Sequence, residues 1–206
     1  MADGIDLFEA IDTQRAIRYF KPDPVPDELI TRLLRAAIKG PSGGIRQGWG
    51  FIVIRDQEIR RKIGELYRSG ANFEIRPDMT AQERRVYTAA QHLEDHMDEV
   101  PVLILACIQA TPGAPVSGGS IFPSIQNILL AARGLGLGSA LTTRQTRFEA
   151  EIKSMLGIPE DVVTVALLPV GFPAEGSHYG PTRRRPLEEV AFSDRWGESW
   201  QGADSA

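Results

Sequence analysis

The sequence predicts an α+β fold, in which helices flank a central mixed β-sheet in layers. Segments with helical and strand-like spacing of apolar residues alternate along the 206 residues. Two helical segments, around 59–67 and 80–97, follow one another with no strand between them, which argues against a regular doubly wound fold. The continuous apolar run 102–108 has the length of a strand covered on both faces, so we expect it at the centre of the sheet.

Each predicted element depends on the period of its apolar residues and on residues that begin or end helices. Thr80 and Glu83, for example, form a capping box at the start of a long helix. Helices are predicted over 6–13, 26–39, 59–67, 80–97, 120–135 and 148–156, and strands over 49–54, 102–108, 139–142 and 162–170. Residues expected to face inward from two of these helices include Leu7, Phe8, Ile11 and Phe122.

The composition argues against nucleic-acid-binding and membrane-spanning classes of protein. The chain carries 23 basic and 27 acidic side chains, for a net charge of −4, which argues against a nucleic-acid partner. The apolar runs are too short for a membrane span, and the N-terminus has no signal-peptide pattern. The single cysteine, Cys107, fits a reducing compartment. We therefore expect a cytoplasmic protein with neither a nucleic-acid nor a membrane partner.

Three motifs with possible chemical meaning are better explained structurally. The glycines of 134–138 follow a helix and precede a strand, whereas a dinucleotide fingerprint follows a strand and opens a helix. His92 and His96 lie four residues apart but lack the glutamate placement of zinc proteases, so no metal site is predicted. The serines of 41–44 and 117–120 do not match a nucleophile elbow, so no catalytic side chain is assigned.

Arginine clusters are the more informative feature. Arg15 and Arg18 lie three residues apart, and 183–185 is a run of three arginines. Guanidinium groups bind phosphate in a bidentate manner, so both clusters could converge on one phosphate; each could also be a solvated charge run. The small residues of 41–44 would let backbone amides approach a ligand closely.

Several segments together resemble the nitroreductase family of FMN-dependent oxidoreductases, and the likeness extends over nearly the whole chain. The first segments are Gln14-Arg15-Ala16-Ile17-Arg18 and Pro41-Ser42-Gly43-Gly44-Ile45-Arg46-Gln47. The later ones are the 131–138 helix end, Leu156-Gly157-Ile158-Pro159, Pro169-Val170-Gly171-Phe172-Pro173 and Arg184-Arg185-Pro186-Leu187.

The resemblance implies a nitroreductase-like single domain over 1–206 that forms an interlocked homodimer with FMN at the subunit interface. Residues 174–206, which include Trp196 and Trp200, would be an extension that packs on the partner subunit. The family pattern places the loop of 41–44 against the flavin of the other subunit. The cofactor-binding residues that it implies are Gln14, Arg15, Ala16, Arg18, Pro41, Ser42, Gly43, Gly44, Gln47, Leu141, Thr142, Thr143 and Arg184.

The implied reaction passes hydride from NADH or NADPH through FMN to a nitroaromatic, a quinone or a similar small acceptor. The segment 69–80, with Phe73, would shape the acceptor pocket. Gln14 and Ala16 depart from the arginine and serine that are usual in the family. Because these departures remove polar contacts, a flavin-binding sensor with little turnover is one alternative. Ile45 stands where asparagine is common in the family, which leaves a flavin-fragmenting or dehalogenating relative as the other alternative.

Overall fold

The computed structural model describes residues 5–70, 74–110, 118–200 and 202. Within these ranges the helices are α1 (Leu7–Thr13), α2 (Asp27–Ala37), α3 (Gln57–Ser69), α4 (Ala81–Asp95), α5 (Gly118–Gly134) and α6 (Glu149–Leu156). The strands are β1 (Trp49–Ile54), β2 (Val102–Gln109), β3 (Gly138–Ser139) and β4 (Val162–Gly171). Phe73 lies outside the described residues, and so do residues 111–117 of the loop predicted at 111–119.

The four strands form one sheet in the order β1-β2-β4-β3, and every neighbouring pair is antiparallel. The four strands thus form an antiparallel sheet where a mixed one was predicted, and a parallel pairing occurs only in an isolated bridge between Ala16 and Ser139 among the described residues. The α+β class is therefore confirmed, and so is the central place of β2, which pairs with β1 on one side and β4 on the other.

Alternate residues of β2 enter two separate cores, as the strand's continuous apolar sequence predicts. Ile104 and Ala106 pack with α2 and α5, where Leu33 and Ile125 are also buried. Leu103 and Leu105 pack on the opposite face with residues of α3, α4, the turn after α4 and α6, of which Tyr67, Met97 and Ile152 are among the most buried. The sheet is thus a middle layer between two layers of helices.

Two predictions about which residues face inward are wrong. Phe122 is 45% exposed, whereas its neighbour Ile121 is fully buried against the sheet. In α1 only Ala10 is buried, and Leu7, Phe8 and Ile11 are 60%, 71% and 49% exposed. The apolar face of α1 has the composition of a buried surface but is left exposed by the residues that the structure describes.

The chain beyond β4 returns alongside the end of α1 and the segment that follows it. Ala174 N donates to Tyr19 O at 3.0 Å, and Gly180 N donates to Thr13 O at 3.0 Å. Farther on, Trp196 is 92% exposed and contacts the ring of Phe192. The beginning of the 174–206 extension therefore lies on its own subunit, while packing of the remainder on a partner stays a prediction.

Candidate functional site

The segment after α1 is fixed to the end of the sheet. Ile17 is 4% exposed, and its N–H donates to Ser139 O at 3.0 Å. Ala16, on one side of Ile17, is partly buried against the core that contains Leu103 and Leu105, whereas Arg18, on the other side, lines the cavities described below. The backbone of this segment and the Arg18 side chain therefore lie beside β3.

The segment after β3 runs alongside. Thr142 forms a bridge with Leu167 of β4 through two backbone hydrogen bonds of 3.0 and 2.9 Å. The Thr142 Oγ1 atom lies 3.4 Å from the hydroxyl of buried Tyr67 and accepts from Arg144 N at 3.3 Å. These contacts set the path of the residues that follow, including Thr143.

A third segment, which leads to the arginines at 183–185, is held in place by the end of α5. The guanidinium of Arg133 at the end of α5 lies 4.3 Å from the centre of the Tyr179 ring and donates to Thr13 Oγ1 at 2.8 Å. Burial raises the pKa of Tyr179 above its ordinary value. This packing secures the chain just before the run of arginines at 183–185.

The three segments meet at a cavity of about 500 Å³, called here the first cavity. It brings together six of the predicted cofactor-binding residues: Gln14, Arg15, Ala16, Arg18, Leu141 and Arg184. Gln82 and Val86 of α4 also line it, as does Arg183. Sequence reasoning missed the α4 residues, because nothing in a helix of ordinary polarity signals that one face covers a site.

The first cavity is strongly basic. Arg15, Arg18, Arg183 and Arg184 line it, and its described lining residues include no aspartate or glutamate. Burial and the neighbouring Arg15 charge both lower the pKa of Arg18. Guanidinium groups that crowd one another without a carboxylate create a site for an anion.

A second cavity of about 410 Å³ shares Arg18, Ala140 and Leu141 with the first. It contains the predicted residues Thr142 and Thr143. The remaining residues that line this second cavity are Ala90, Leu93, Glu94, Met97, Arg144, Thr146 and Arg147. The two cavities therefore adjoin where the first predicted segment passes β3.

A buried ion pair forms part of the second cavity. Glu94 of α4 is 6% exposed, and its Oε1 pairs with Arg144 Nε. The Oε2 atom of the same carboxyl is buried with no hydrogen-bond partner in the described structure. Burial raises the pKa of Glu94 to about 7, although the Arg144 charge acts in the opposite direction. Sequence reasoning missed this pair, whose members lie on separate elements.

Replacing Glu94 by glutamine is expected to stabilise the protein at pH 8 but not at pH 5. The folded protein holds the Glu94 proton more tightly than the unfolded chain does. Protonation of Glu94 therefore contributes its full stabilisation below about pH 4.5, and this stabilisation is lost as the pH rises through about 7. The variant should gain of the order of 2 kcal/mol over the native protein between the two pH values. Urea unfolding measures the difference, with exposed Glu99→Gln as control. An equal effect at both pH values would contradict the shift.

The remaining predicted residues, Pro41, Ser42, Gly43, Gly44 and Gln47, lie elsewhere in the chain. Gly43 N donates to Ser120 Oγ at the start of α5, whereas Thr13, next to Gln14, contacts Arg133 at its end. A rise of 1.5 Å per residue places these two contacts about 20 Å apart along the helix. The structure does not bring the two sets of residues together within one chain.

The 41–47 loop has an unusual backbone. Gly44, Ile45 and Gln47 have φ values of 60°, 58° and 48°. For a β-branched residue such as Ile45, which is 80% exposed, this left-handed conformation is strained. The Ser42 hydroxyl accepts from Gln47 N at 2.7 Å and closes the loop.

The histidines at 92 and 96 form a stack. Tyr19 and His92 rings lie 4.1 Å apart, and so do those of His92 and His96. His96 Nδ1 also lies 2.8 Å from His92 O. Within the described part of the chain, no group of three His, Cys, Asp or Glu side chains could hold a metal ion. In the same residues, no helix is long and apolar enough to cross a membrane.

Comparisons with known proteins agree on one family. The model of the Nitroreductase family matches residues 11–172. The "Putative NADH dehydrogenase/NAD(P)H nitroreductase" of Methanothermobacter thermautotrophicus is 35% identical over 178 residues, which cover 83% of this chain and 79% of that protein. Iodotyrosine deiodinase 1 of Rattus norvegicus is 30% identical over 199 residues, covering 90% of this chain and 68% of that protein.

The solved structures show the same fold. The FMN and NADPH-dependent nitroreductase NfnB from a Sphigopyxis strain superimposes with a TM-score of 0.73 at 18% identity, covering 93% of this chain and 100% of that one.

Proposed function

Since the chain belongs to the nitroreductase family, we propose that it binds FMN and uses it to pass hydride from NADH or NADPH to a nitroaromatic, a quinone or a similar acceptor. The observation that supports this most directly is the first cavity, where Arg15, Arg18 and Arg184 converge without a carboxylate among the described lining residues. A cavity of about 500 Å³ lies within the range of small-molecule sites.

The residues present fit a phosphate-bearing flavin. Arg184 would hold the phosphate, and Arg15 with Gln14 would bind the phosphate or the ribityl chain. Arg18 lies where the two cavities adjoin, so it would stabilise negative charge on the reduced ring. Bound FMN supplies the hydride chemistry, and the protein supplies position, charge and exclusion of water.

We also propose that a second copy of the chain completes the site. Gly43 and Thr13 make their contacts at opposite ends of α5, about 20 Å apart, so within one subunit the 41–47 loop lies apart from the residues that line the first cavity. The exposed Phe8 and Trp196 supply apolar surface for such an interface. The strained Ile45 backbone is consistent with a loop that is fixed by contacts outside its own chain.

The absorbance spectrum of the purified protein tests the proposal. We expect a yellow protein that NADH or NADPH bleaches and that menadione or nitrofurazone reoxidises. Rapid bleaching without turnover of either acceptor would favour the sensor alternative. A colourless protein that neither binds added FMN nor oxidises a nicotinamide would contradict the main proposal.

Similarity to iodotyrosine deiodinase 1 supports a second candidate activity, reductive dehalogenation of an aromatic substrate. In that reaction two electrons and a proton replace the carbon–iodine bond with carbon–hydrogen and release iodide. Iodide release from 3-iodo-L-tyrosine by the reduced protein would support it, whereas turnover of menadione alone would support the first candidate.

A further inference from the structure

The second cavity contains an ion pair that FMN binding does not require. Glu94 is almost fully buried, is paired through one oxygen only, and lies among the lining residues together with Arg144 and Arg147. A buried carboxylate oxygen without a partner is costly, so proteins retain one mainly where it has a role or where a ligand or water reaches it.

The charges of this cavity favour a negatively charged ligand. Arg18, Arg144 and Arg147 line it against Glu94 as the one acid among its described lining residues. Positive charge is therefore in excess even when Glu94 is ionised, and the excess grows when Glu94 takes up a proton. Arg147 is an exposed residue of the cavity lining whose Nη1 donates to Gly70 O at 3.5 Å, so an entering ligand can reach its side chain.

The rest of the lining indicates the shape of the ligand. Thr142, Thr143 and Thr146 belong to the same segment as Arg144 and Arg147, whereas Leu93 and Met97 contribute apolar lining from α4 and the turn after it. A cavity with a basic, hydroxyl-bearing side and an apolar side suits a flat apolar body that carries one anionic group.

We propose that the second cavity binds the electron acceptor as an aromatic carboxylate, whose charged group lies against Arg144 and Arg147, and that this binding is coupled to proton uptake by Glu94. The proposal rests on the proposed function, because it assigns the acceptor class to the cavity that adjoins the flavin site. It requires no further reactant, since the proton comes from water and returns there when the ligand leaves.

Glu94 is the carboxyl group in the lining of this cavity, and burial raises its pKa to about 7. The groups that face it are Arg144 and Arg147 from the turn after β3, Asp95 on α4 and Tyr67 on α3, with Arg18 across the cavity. Burial raises the pKa of Tyr67 above its ordinary value. The negative charge of Asp95 raises the pKa of Glu94 further.

The test measures binding and needs no turnover. The purified protein, saturated with FMN, is titrated calorimetrically with 4-nitrobenzoate and with its neutral analogue 4-nitrobenzamide at pH 6 and pH 8. We expect the anion to bind about tenfold more tightly than the amide at pH 6, since charge-assisted pairs are the strong ones. Its affinity should fall about fivefold by pH 8, because Glu94 must then take up a proton for the ligand to bind. The amide should bind with the same affinity at both pH values.

Two variants distinguish the role of Glu94 in the pH dependence from the role of Arg147 in binding the anion. Glu94→Gln should remove the pH dependence and bind the anion at pH 8 as tightly as the native protein does at pH 6, whereas Glu99→Gln on the nearby surface should behave as native. Arg147→Gln, an exposed change that does not threaten folding, should remove the preference for the anion and leave amide binding unchanged.

Equal affinities for anion and amide, or a pH dependence that survives in Glu94→Gln, would overturn the inference. Either result in a protein that NADPH bleaches would leave the proposed function intact. A protein that does not bind FMN would instead contradict the proposed function, and the titrations without flavin would still report on the cavity.

Discussion

Arg184→Ala is expected to weaken FMN binding by about 10- to 100-fold. Arg184 lines the first cavity, whose described lining residues include no carboxylate, so a phosphate would be its main ionic partner there. Hydrogen bonds to charged groups contribute about 1.5–3 kcal/mol, which corresponds to one to two orders of magnitude in a dissociation constant. The substitution removes little packing, because the side chain is exposed.

Fluorescence titration of the flavin-free protein with FMN measures the loss, and Arg32→Ala is the matched control. Arg32 is exposed on α2 and lines none of the cavities described above. Arg60 is unsuitable as a control, because it donates to the carbonyl oxygens of Asp98 and Val100 at 2.6 and 2.8 Å and so ties α3 to the chain before β2. Equal FMN affinity in the Arg184 and Arg32 variants would show that the phosphate lies elsewhere.

Gly138→Val is expected to destabilise the protein by about 1–3 kcal/mol and to impair flavin binding at the same time. A Cβ atom at position 138 would lie 2.7 Å from Ile17 Cγ2 and 2.9 Å from Ile17 Cβ, much closer than carbon atoms pack. Ile17 is buried and its N–H is bonded to Ser139 O, so relief of this clash is expected to displace the segment that carries Ala16 and Arg18. The lost stability and the lost site therefore have one cause.

Gly50→Ala is the matched control for this substitution. Gly50 lies in β1, and a Cβ atom there would meet nothing within 4 Å. Thermal unfolding and FMN titration of both variants provide the comparison. If the Gly138→Val variant lost stability but retained native FMN affinity, the Arg15 to Arg18 segment would not be part of the flavin site.

The fold was predictable where a local pattern determines structure. The six residues of β1 match the predicted strand, and both hydrogen bonds of the predicted capping box at Thr80 and Glu83 are present. The apolar run of β2 required cover on both faces, which it has. In each case the signal lies within a few neighbouring residues and does not depend on the rest of the chain.

Features that depend on distant contacts were not predictable. Phe122 and Ile121 are equally apolar, and only the packing of α5 on the sheet decides that Ile121 is buried. The outward face of α1 has the same explanation, since apolar spacing cannot say whether a partner surface belongs to the same chain. Glu94 and Arg144 lie on elements 50 positions apart in sequence, so neither residue alone indicates a buried ion pair.

The contacts that hold the first cavity together also determine when it can form. The hydrogen bond from Arg133 to Thr13 joins residues 120 positions apart, and those from Ile17 to Ser139 and from Gly180 to Thr13 span comparable or longer stretches. Closing such long loops costs entropy before any contact compensates for it, so we expect these bonds to form late in folding. During synthesis the arginines at positions 15 and 18 leave the ribosome before the segments around Ser139 and Gly180 that hold the residues next to them. Cofactor capture should therefore wait until the segment around Gly180 has been made.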